Sequence, residues 1–299
     1  LLVGGAIAGL GPLFLPIQAS SAGTLHLLLA GWIGLTIMGA MTQFVPVWSG
    51  TALYSRRLSV ASLWLVLLGV AGMVTVFFTG AYTWFPLVAT TLLVGFWTFA
   101  YTIARTLPPW RTLDITEAHF AVALGSLVLA TALGWVLATD IAVHVVGELP
   151  VDAYGLLTAH LTLTVFGFVL VTVVGALYQL APMFTQSTQT KLDAHLAHVE
   201  MVSLPGGVLL LAGGRLVGAT LPARLGAILV LLGVLAFGGF FLRRLWTAQV
   251  ETDAMLRRYW LVALSLVGWA LLSVPGWAVD PLAYFVRFGS PRGTHLLFV

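Results

Sequence analysis

The sequence has no cysteine and very few charged residues. Of its 299 residues, 8% are Asp, Glu, Lys or Arg, whereas 60% are hydrophobic. The absence of cysteine excludes disulfides, thiolate metal ligands and iron–sulfur clusters. A soluble domain carries about 25% charged residues, so this chain cannot cover a globular surface with charge. The composition excludes a soluble enzyme, a nucleic-acid-binding protein and a disordered chain, and it leaves an integral membrane protein.

Long stretches of the chain lack charge altogether. No Asp, Glu, Lys or Arg occurs in residues 1–55 or in residues 58–104. Because a spanning helix needs about 20 apolar residues, each stretch holds more than one span, and continuous apolar runs favour helices over a barrel. The sequence therefore predicts an all-α polytopic transmembrane bundle in a single domain, residues 1–299. Its predicted segments are 1–18, 24–48, 59–79, 84–104, 118–138, 156–183, 199–217, 222–242 and 258–278, with a tenth opening near Gly293.

The basic residues predict an orientation for this bundle. Nine of the 13 follow the even-numbered segments: Arg56, Arg57, Arg105, Arg111, Lys191, Arg243, Arg244, Arg257 and Arg258. Cytoplasmic loops carry an excess of Lys and Arg, so the even-numbered segments are predicted to run from outside to inside. The predicted location is an integral membrane protein of a prokaryotic cytoplasmic membrane.

An internal repeat is visible when the two halves of the chain are aligned. Residues 31–48 align with residues 167–184, and six of the 18 aligned positions are identical. The shared residues include Pro46 and Pro182 as well as glycines. This pattern predicts four-helix units, about 24–155 and 156–292, repeated around an axis normal to the membrane. A third unit is expected to start at about residue 293, and because the chain begins with Leu and ends in a nascent segment, we expect a fragment. The alternative to a repeat is that the two stretches are similar only because membrane segments draw on the same few residue types.

Three of the seven histidines open predicted segments at the outer side: His26, His160 and His295. Ionisable groups in membrane helices tend to be functional, and imidazole is the usual metal and haem ligand of helix bundles. The alternative is an interfacial histidine wetted by headgroup water. In the register of the repeat, His26 aligns with Thr162 rather than with His160, so the two histidines do not occupy equivalent positions.

A second histidine group precedes predicted segment 7. His195 and His198 are three residues apart, a spacing that places both rings on one helix face, and Glu200 follows them. These residues are candidate metal ligands, with a polar interfacial turn as the alternative. His119, next to Glu117, is interpreted as part of a polar first turn of segment 5.

One stretch of the sequence resembles a known family. His26-Leu-Leu-Leu29, Gln43-Phe-Val-Pro46, Arg57-Leu58 and Trp64 are similar to the second helix, loop and third helix of subunit I of the haem-copper oxidases. That family has twelve core helices in three four-helix units. The resemblance implies that His26 is an axial ligand of a low-spin haem, that His295 is the opposite ligand, and that His160 is a copper ligand.

The sequence departs from that family at the copper site. It has no adjacent His pair, Thr164 stands where a Tyr often follows the sixth-helix histidine, and Leu297 replaces the second histidine of the tenth helix. The dinuclear oxygen-reducing site is therefore predicted to be absent. The expected function is b-type haem binding for electron transfer or another redox role, with copper doubtful and with a redox subunit, cytochrome or quinol as partner beside the lipid bilayer. The alternatives are a true oxidase or nitric oxide reductase-like subunit with ligands outside this chain, a channel or transporter without haem, and a structural membrane subunit without a cofactor.

Overall fold

The computed structural model describes residues 18–144, 146–148, 151–251 and 253–282, and all regular secondary structure in these ranges is helical. Eight of the helices are long and apolar enough to cross a membrane. They are α1 (Gln18–His26, Leu27–Gly34 and Leu35–Ser49 in succession), α2 (Arg56–Thr79), α3 (Phe85–Ala104), α4 (Ile115–Val143), α5 (Ala153–Thr162, Leu163–Leu170 and Val171–Thr185), α6 (Lys191–Leu216), α7 (Thr220–Trp246) and α8 (Ala254–Val279). The predicted all-α membrane bundle is confirmed. The predicted tenth segment and nearly all of the first lie outside the described residues.

Polar side chains start several of these helices. Ser55, Asp152 and Asp253 each accept a hydrogen bond from a backbone N–H of the first turn of α2, α5 and α8. At α6, Thr190 and Asp193 form a reciprocal capping box. This box lets α6 begin at Lys191, well before the predicted start at residue 199, because it satisfies backbone donors that would otherwise lack partners. His195 and His198 are therefore part of a helix rather than of the turn before it.

The chain forms two compact units. The first contains the described residues up to Trp110 together with those between Leu127 and residue 148. In it α1 packs on α2 and α2 packs on α3. A Cβ built on Gly95 of α3 would lie 2.8 Å from Val66 Cγ2 of α2, so glycine is required for this approach. Trp97 and Trp135 donate indole hydrogen bonds to Thr131 and Thr90, which join α3 to the second half of α4.

The second unit contains Arg111–Ser126 and the described residues from 151 onward. Its most extensive contact is between α6 and α7, while α5 packs on α6 and α8 packs on α7. Glycines allow the α6 and α7 backbones to touch. A Cβ on Gly207 would lie 2.6 Å from the Val230 nitrogen, and a Cβ on Gly233 would lie 2.6 Å from Leu204 Cβ. Small residues at helix contacts are the usual means of close packing in membranes.

Helices α1 and α5 share an unusual backbone feature. Each contains one π-helical stretch of eight residues, Leu27–Gly34 in α1 and Leu163–Leu170 in α5. The register that aligns residues 31–48 with 167–184 also aligns the first and last residues of the two stretches. Both helices then run on to an αL residue, Gly50 in α1 and Gln186 in α5. This agreement is an observation in favour of the internal repeat, which stays a prediction.

Candidate functional site

A cluster of three polar side chains lies in the interior of the second unit. His119 of α4 and Glu200 of α6 are fully buried, and Tyr178 of α5 is 7% exposed. His119 Nε2 is 2.9 Å from Glu200 Oε2, and the Tyr178 hydroxyl donates a hydrogen bond of 3.0 Å to the same oxygen. Three different membrane-spanning helices thus bring their ionisable groups to one carboxylate oxygen.

The hydrogen bonds of His119 fix the position of its protons. Nδ1 is 2.6 Å from the Ile115 carbonyl oxygen, and a carbonyl oxygen can only accept, so Nδ1 carries a proton. One further proton lies between His119 Nε2 and Glu200 Oε2. It makes the pair either imidazolium and carboxylate or neutral imidazole and carboxylic acid, and both forms are neutral overall. Glu200 Oε1 is buried and has no hydrogen-bond partner among the described residues.

Local sequence positions these groups. Gly175 and Tyr178 lie three residues apart on one face of α5. A Cβ on Gly175 would lie 2.5 Å from His119 Cβ, so glycine lets α4 approach α5 at this point. The start of α4 is held by reciprocal hydrogen bonds between Asp114 and Glu117, each accepting the other's backbone N–H. This capping places His119 one turn into the helix, where its ring faces α6.

Charged groups also lie near both ends of α6. Near its start, Asp193 Oδ1 accepts a 3.2 Å hydrogen bond from Arg243 Nε, and Asp193 Oδ2 lies 3.7 Å from an Nη atom of buried Arg244. Near its end, buried Arg215 donates to Thr162 Oγ1 at 2.7 Å and to the Pro281 carbonyl at 3.1 Å. Glu200 therefore lies between two Arg-containing networks along a single helix.

His26, the predicted haem ligand, lies in the first unit at the junction between the α-helical start of α1 and its π-helical stretch. Its Nδ1 is 2.8 Å from the Ala22 carbonyl oxygen, and its half-buried ring packs 5.2 Å from the Phe77 ring. Since the carbonyl can only accept, Nδ1 carries the proton and Nε2 carries the lone pair. Nε2 has no hydrogen-bond partner among the described residues.

The other predicted site residues have different positions. His160 is half-buried in α5, in the second unit, and its carbonyl accepts a hydrogen bond from Thr164. His195 and His198 are exposed on α6. His295 lies outside the described residues. No group of three or more His, Asp or Glu side chains in the described ranges is arranged to hold a metal ion.

The expected third ligand beside His195 and His198 does not join them. Glu200 is buried against His119, whereas His198 is exposed. Two residues along a helix correspond to a rotation of about 200°, so the carboxylate faces away from His198. This helical phase could have been read from the sequence. The contact between Glu200 and His119 could not have been read from the sequence, because His119 belongs to a different helix. Its interpretation as part of a polar first turn considered only residues of its own helix.

Comparisons with known proteins identify no relative. No family model matches the chain, and neither a curated protein nor a solved structure matches it.

Proposed function

We propose that this chain is an integral membrane haem-binding protein with an electron-transfer or other haem-based redox role, resembling haem-copper oxidase subunit I without an intact copper site. The observation that carries the proposal is the His26 side chain. Its Nδ1 proton is committed to the Ala22 carbonyl, and its Nε2 lone pair has no partner among the described residues. This is the arrangement of an imidazole that ligates a metal, because a hydrogen bond from the other nitrogen fixes the tautomer and the ring orientation.

His26 would hold the haem through Nε2, with the Phe77 ring packed against the imidazole, and His295 is proposed as the second haem ligand. A haem held by these two imidazoles would supply one-electron transfer. His160 is proposed as a second-site ligand. The proposed orientation has α1, α3, α5 and α7 running from outside to inside across a prokaryotic cytoplasmic membrane, with a cytochrome, quinol or partner subunit as electron donor.

Absorbance spectroscopy tests this proposal. The full chain, purified in detergent and reconstituted with haem, is expected to show a Soret band that His26→Ala and His295→Ala each remove. The matched control is His195→Ala, which deletes an exposed imidazole and is expected to leave the band unchanged. A protein that binds no haem on reconstitution, or a Soret band unaffected by His26→Ala, would overturn the proposal. Stoichiometric copper in metal analysis would contradict the absence of the copper site.

A further inference from the structure

The end of the first unit at which α2 begins and α3 ends carries positive charge without acidic residues. Arg56 and Arg57 are the first two residues of α2, Arg105 follows the last residue of α3, and all three are exposed. No Asp or Glu occurs in residues 1–113. None of the three guanidinium groups forms an ion pair with a carboxylate of the described residues. Three positive charges are thus exposed here without a carboxylate partner in the described part of the chain.

The two acidic residues of the first unit belong to its other end. The indole hydrogen bonds between α3 and α4 join these helices in opposite directions, so Asp140, in the last turn of α4, lies near the start of α3. Glu148 follows Asp140 by eight residues. The 20 residues of α3 correspond to about 30 Å of helix, well beyond the Debye length of about 8 Å at physiological ionic strength. These carboxylates therefore do not offset the charge of the three arginines.

Hydrogen bonds hold the loop before α2 against the end of α3. Thr51 Oγ1 donates to the Thr106 carbonyl at 2.8 Å, and the Tyr54 N–H donates to Thr106 Oγ1 at 3.1 Å. The Arg105 guanidinium lies 5.2 Å from the centre of the Tyr54 ring, and the Tyr54 and Tyr101 hydroxyl oxygens are 3.3 Å apart. These contacts bring Arg105 to the loop that leads into the two arginines of α2, and the three arginines form the basic cluster of the first unit.

The backbone next to the basic cluster also favours an anion. The start of an α-helix is the positive end of its dipole, where a cation is unfavourable and an anion is favoured. Arg56 and Arg57 occupy the first two positions of α2. By contrast, Arg243 and Arg244 stand in the last turn of α7, where the dipole favours cations, and both have Asp193 as a carboxylate neighbour, at 3.2 and 3.7 Å. The basic cluster has neither form of compensation among the described residues, so its charge is complementary to an external anion.

Aromatic side chains place the basic cluster at the depth of lipid headgroups. Tyr54 and Tyr101 are exposed, Trp110 is 75% exposed, and Phe44 stacks on Trp48 at 4.9 Å near the end of α1. Tyr and Trp are enriched at the membrane–water interface. The predicted orientation puts this end on the cytoplasmic side, where anionic lipids give the membrane surface a negative potential. An anionic phospholipid therefore matches the basic cluster in both charge and depth.

We propose that the basic cluster of Arg56, Arg57 and Arg105 binds the headgroup phosphate of an anionic phospholipid. A guanidinium group presents its N–H donors in one plane and pairs with two phosphate oxygens at once. In the hydrogen-bonded pair of Tyr54 and Tyr101, one hydroxyl donates to the other, which leaves one O–H to donate to the same headgroup. The lipid site is independent of the proposed haem.

Native mass spectrometry of the full chain in detergent micelles, titrated with phosphatidylglycerol or with phosphatidylcholine, tests this proposal. Both lipids contain a phosphate diester, but only phosphatidylglycerol carries a net negative charge. An arginine next to an anionic lipid contributes about fivefold in affinity. The first phosphatidylglycerol is therefore expected to bind at least about fivefold more tightly than the first phosphatidylcholine. Arg105→Gln is expected to weaken its binding about fivefold, and Arg56→Gln combined with Arg57→Gln by at least about tenfold.

Two further variants separate the charge from the fold. Arg105→Lys keeps the positive charge and is expected to retain most of the affinity for phosphatidylglycerol. The matched control is Arg224→Gln, which removes an exposed arginine from α7 of the second unit and is expected to leave this affinity unchanged. The affinity for phosphatidylcholine is expected to be the same in all variants, because that lipid carries no net charge.

Equal affinity of the parent chain for the two lipids would overturn the proposal. So would substitutions in the basic cluster that weaken phosphatidylglycerol binding no more than Arg224→Gln does. Binding of inorganic phosphate that depends on these arginines, without binding of phosphatidylglycerol, would also overturn it, because the site would then take a soluble anion. If a glutamine variant does not fold by circular dichroism, the preference of the parent chain between the two lipids decides.

Discussion

Helices α1 and α5 have the same backbone design but different surroundings. Both pass from an α-helical start through eight π-helical residues to a second α-helical part that contains a proline and ends at an αL residue. In their most apolar 18-residue windows, 22% of α1 is buried within the protein, against 72% of α5. Equal backbone geometry therefore does not give the two helices equal burial.

The side chains at corresponding positions explain the contrast. Among the described residues, no atom lies within 4 Å of the position of a Cβ on Gly39 in α1, whereas Gly175 in α5 lies against His119. His26 Nε2 in α1 has no hydrogen-bond partner within the described ranges, whereas Thr162, the residue aligned with it in α5, accepts a hydrogen bond from buried Arg215. Within the described residues, one helix thus presents an imidazole nitrogen without a hydrogen-bond partner, and the other is held by interior contacts. The difference between α1 and α5 therefore lies in their side-chain contacts rather than in the helix path.

The largest expected effect comes from filling the space at the paired glycines. Gly175→Leu would force a branched side chain into His119, with the Cβ alone at 2.5 Å. Overpacking of this kind costs about 1–3 kcal/mol and occasionally more, and because it also displaces a buried polar group, we expect at least about 3 kcal/mol. The measurement is the free energy of unfolding in mixed micelles.

Gly39→Leu is the control for this prediction. Since no atom of the described residues lies within 4 Å of a Cβ at this position, the variant is expected to be as stable as the parent, or more so by up to about 1 kcal/mol from helix propensity. Equal losses of stability for Gly39→Leu and Gly175→Leu would contradict the different surroundings of these two glycines.

An intermediate effect is expected at the hydrogen bond between α5 and α6. Thr162→Ala removes the hydroxyl that accepts a 2.7 Å hydrogen bond from Arg215 Nη1, and loss of a buried partner costs about 1–3 kcal/mol. Thr164→Ala, two residues later, removes only a bond to its own helix, at the His160 carbonyl, and is expected to change stability by less than about 0.5 kcal/mol. Thermal unfolding of the two variants side by side measures the difference, and equal melting temperatures would contradict it.

The smallest effect is expected at the αL residues that end the two helices. Gly50 has φ 61° and Gln186 has φ 49°, a conformation that glycine adopts without strain and other residues disfavour. Gly50→Ala is expected to destabilise by about 1 kcal/mol, and Gln186→Gly to stabilise by about 0.5–1 kcal/mol. Opposite shifts in unfolding midpoint support equivalent helix ends. Shifts of the same sign would contradict the equivalence of the two helix ends.

The predicted segments agree with the eight described helices to within a few residues at most ends. The largest difference is at the start of α6, where a capping box extends a helix into polar sequence that the apolar run did not include. The role of His26 as a haem ligand, which the resemblance to subunit I of the haem-copper oxidases implies, stays a prediction. The predicted grouping of Glu200 with His195 and His198 was wrong, because it followed proximity in sequence rather than the direction of the side chain on the helix.

The amino-acid sequence alone was enough to establish a membrane-embedded helix bundle, because about 20 apolar residues between breakers suffice to specify a span. It also predicts an internal repeat, and the two π-helical stretches align in the register of that prediction. The meeting of His119, Tyr178 and Glu200 at one oxygen, by contrast, is visible only in the packed structure. Those residues come from three helices, and their meeting depends on helix rotation and on the close approach at Gly175, neither of which is encoded in the apolar runs that define the spans.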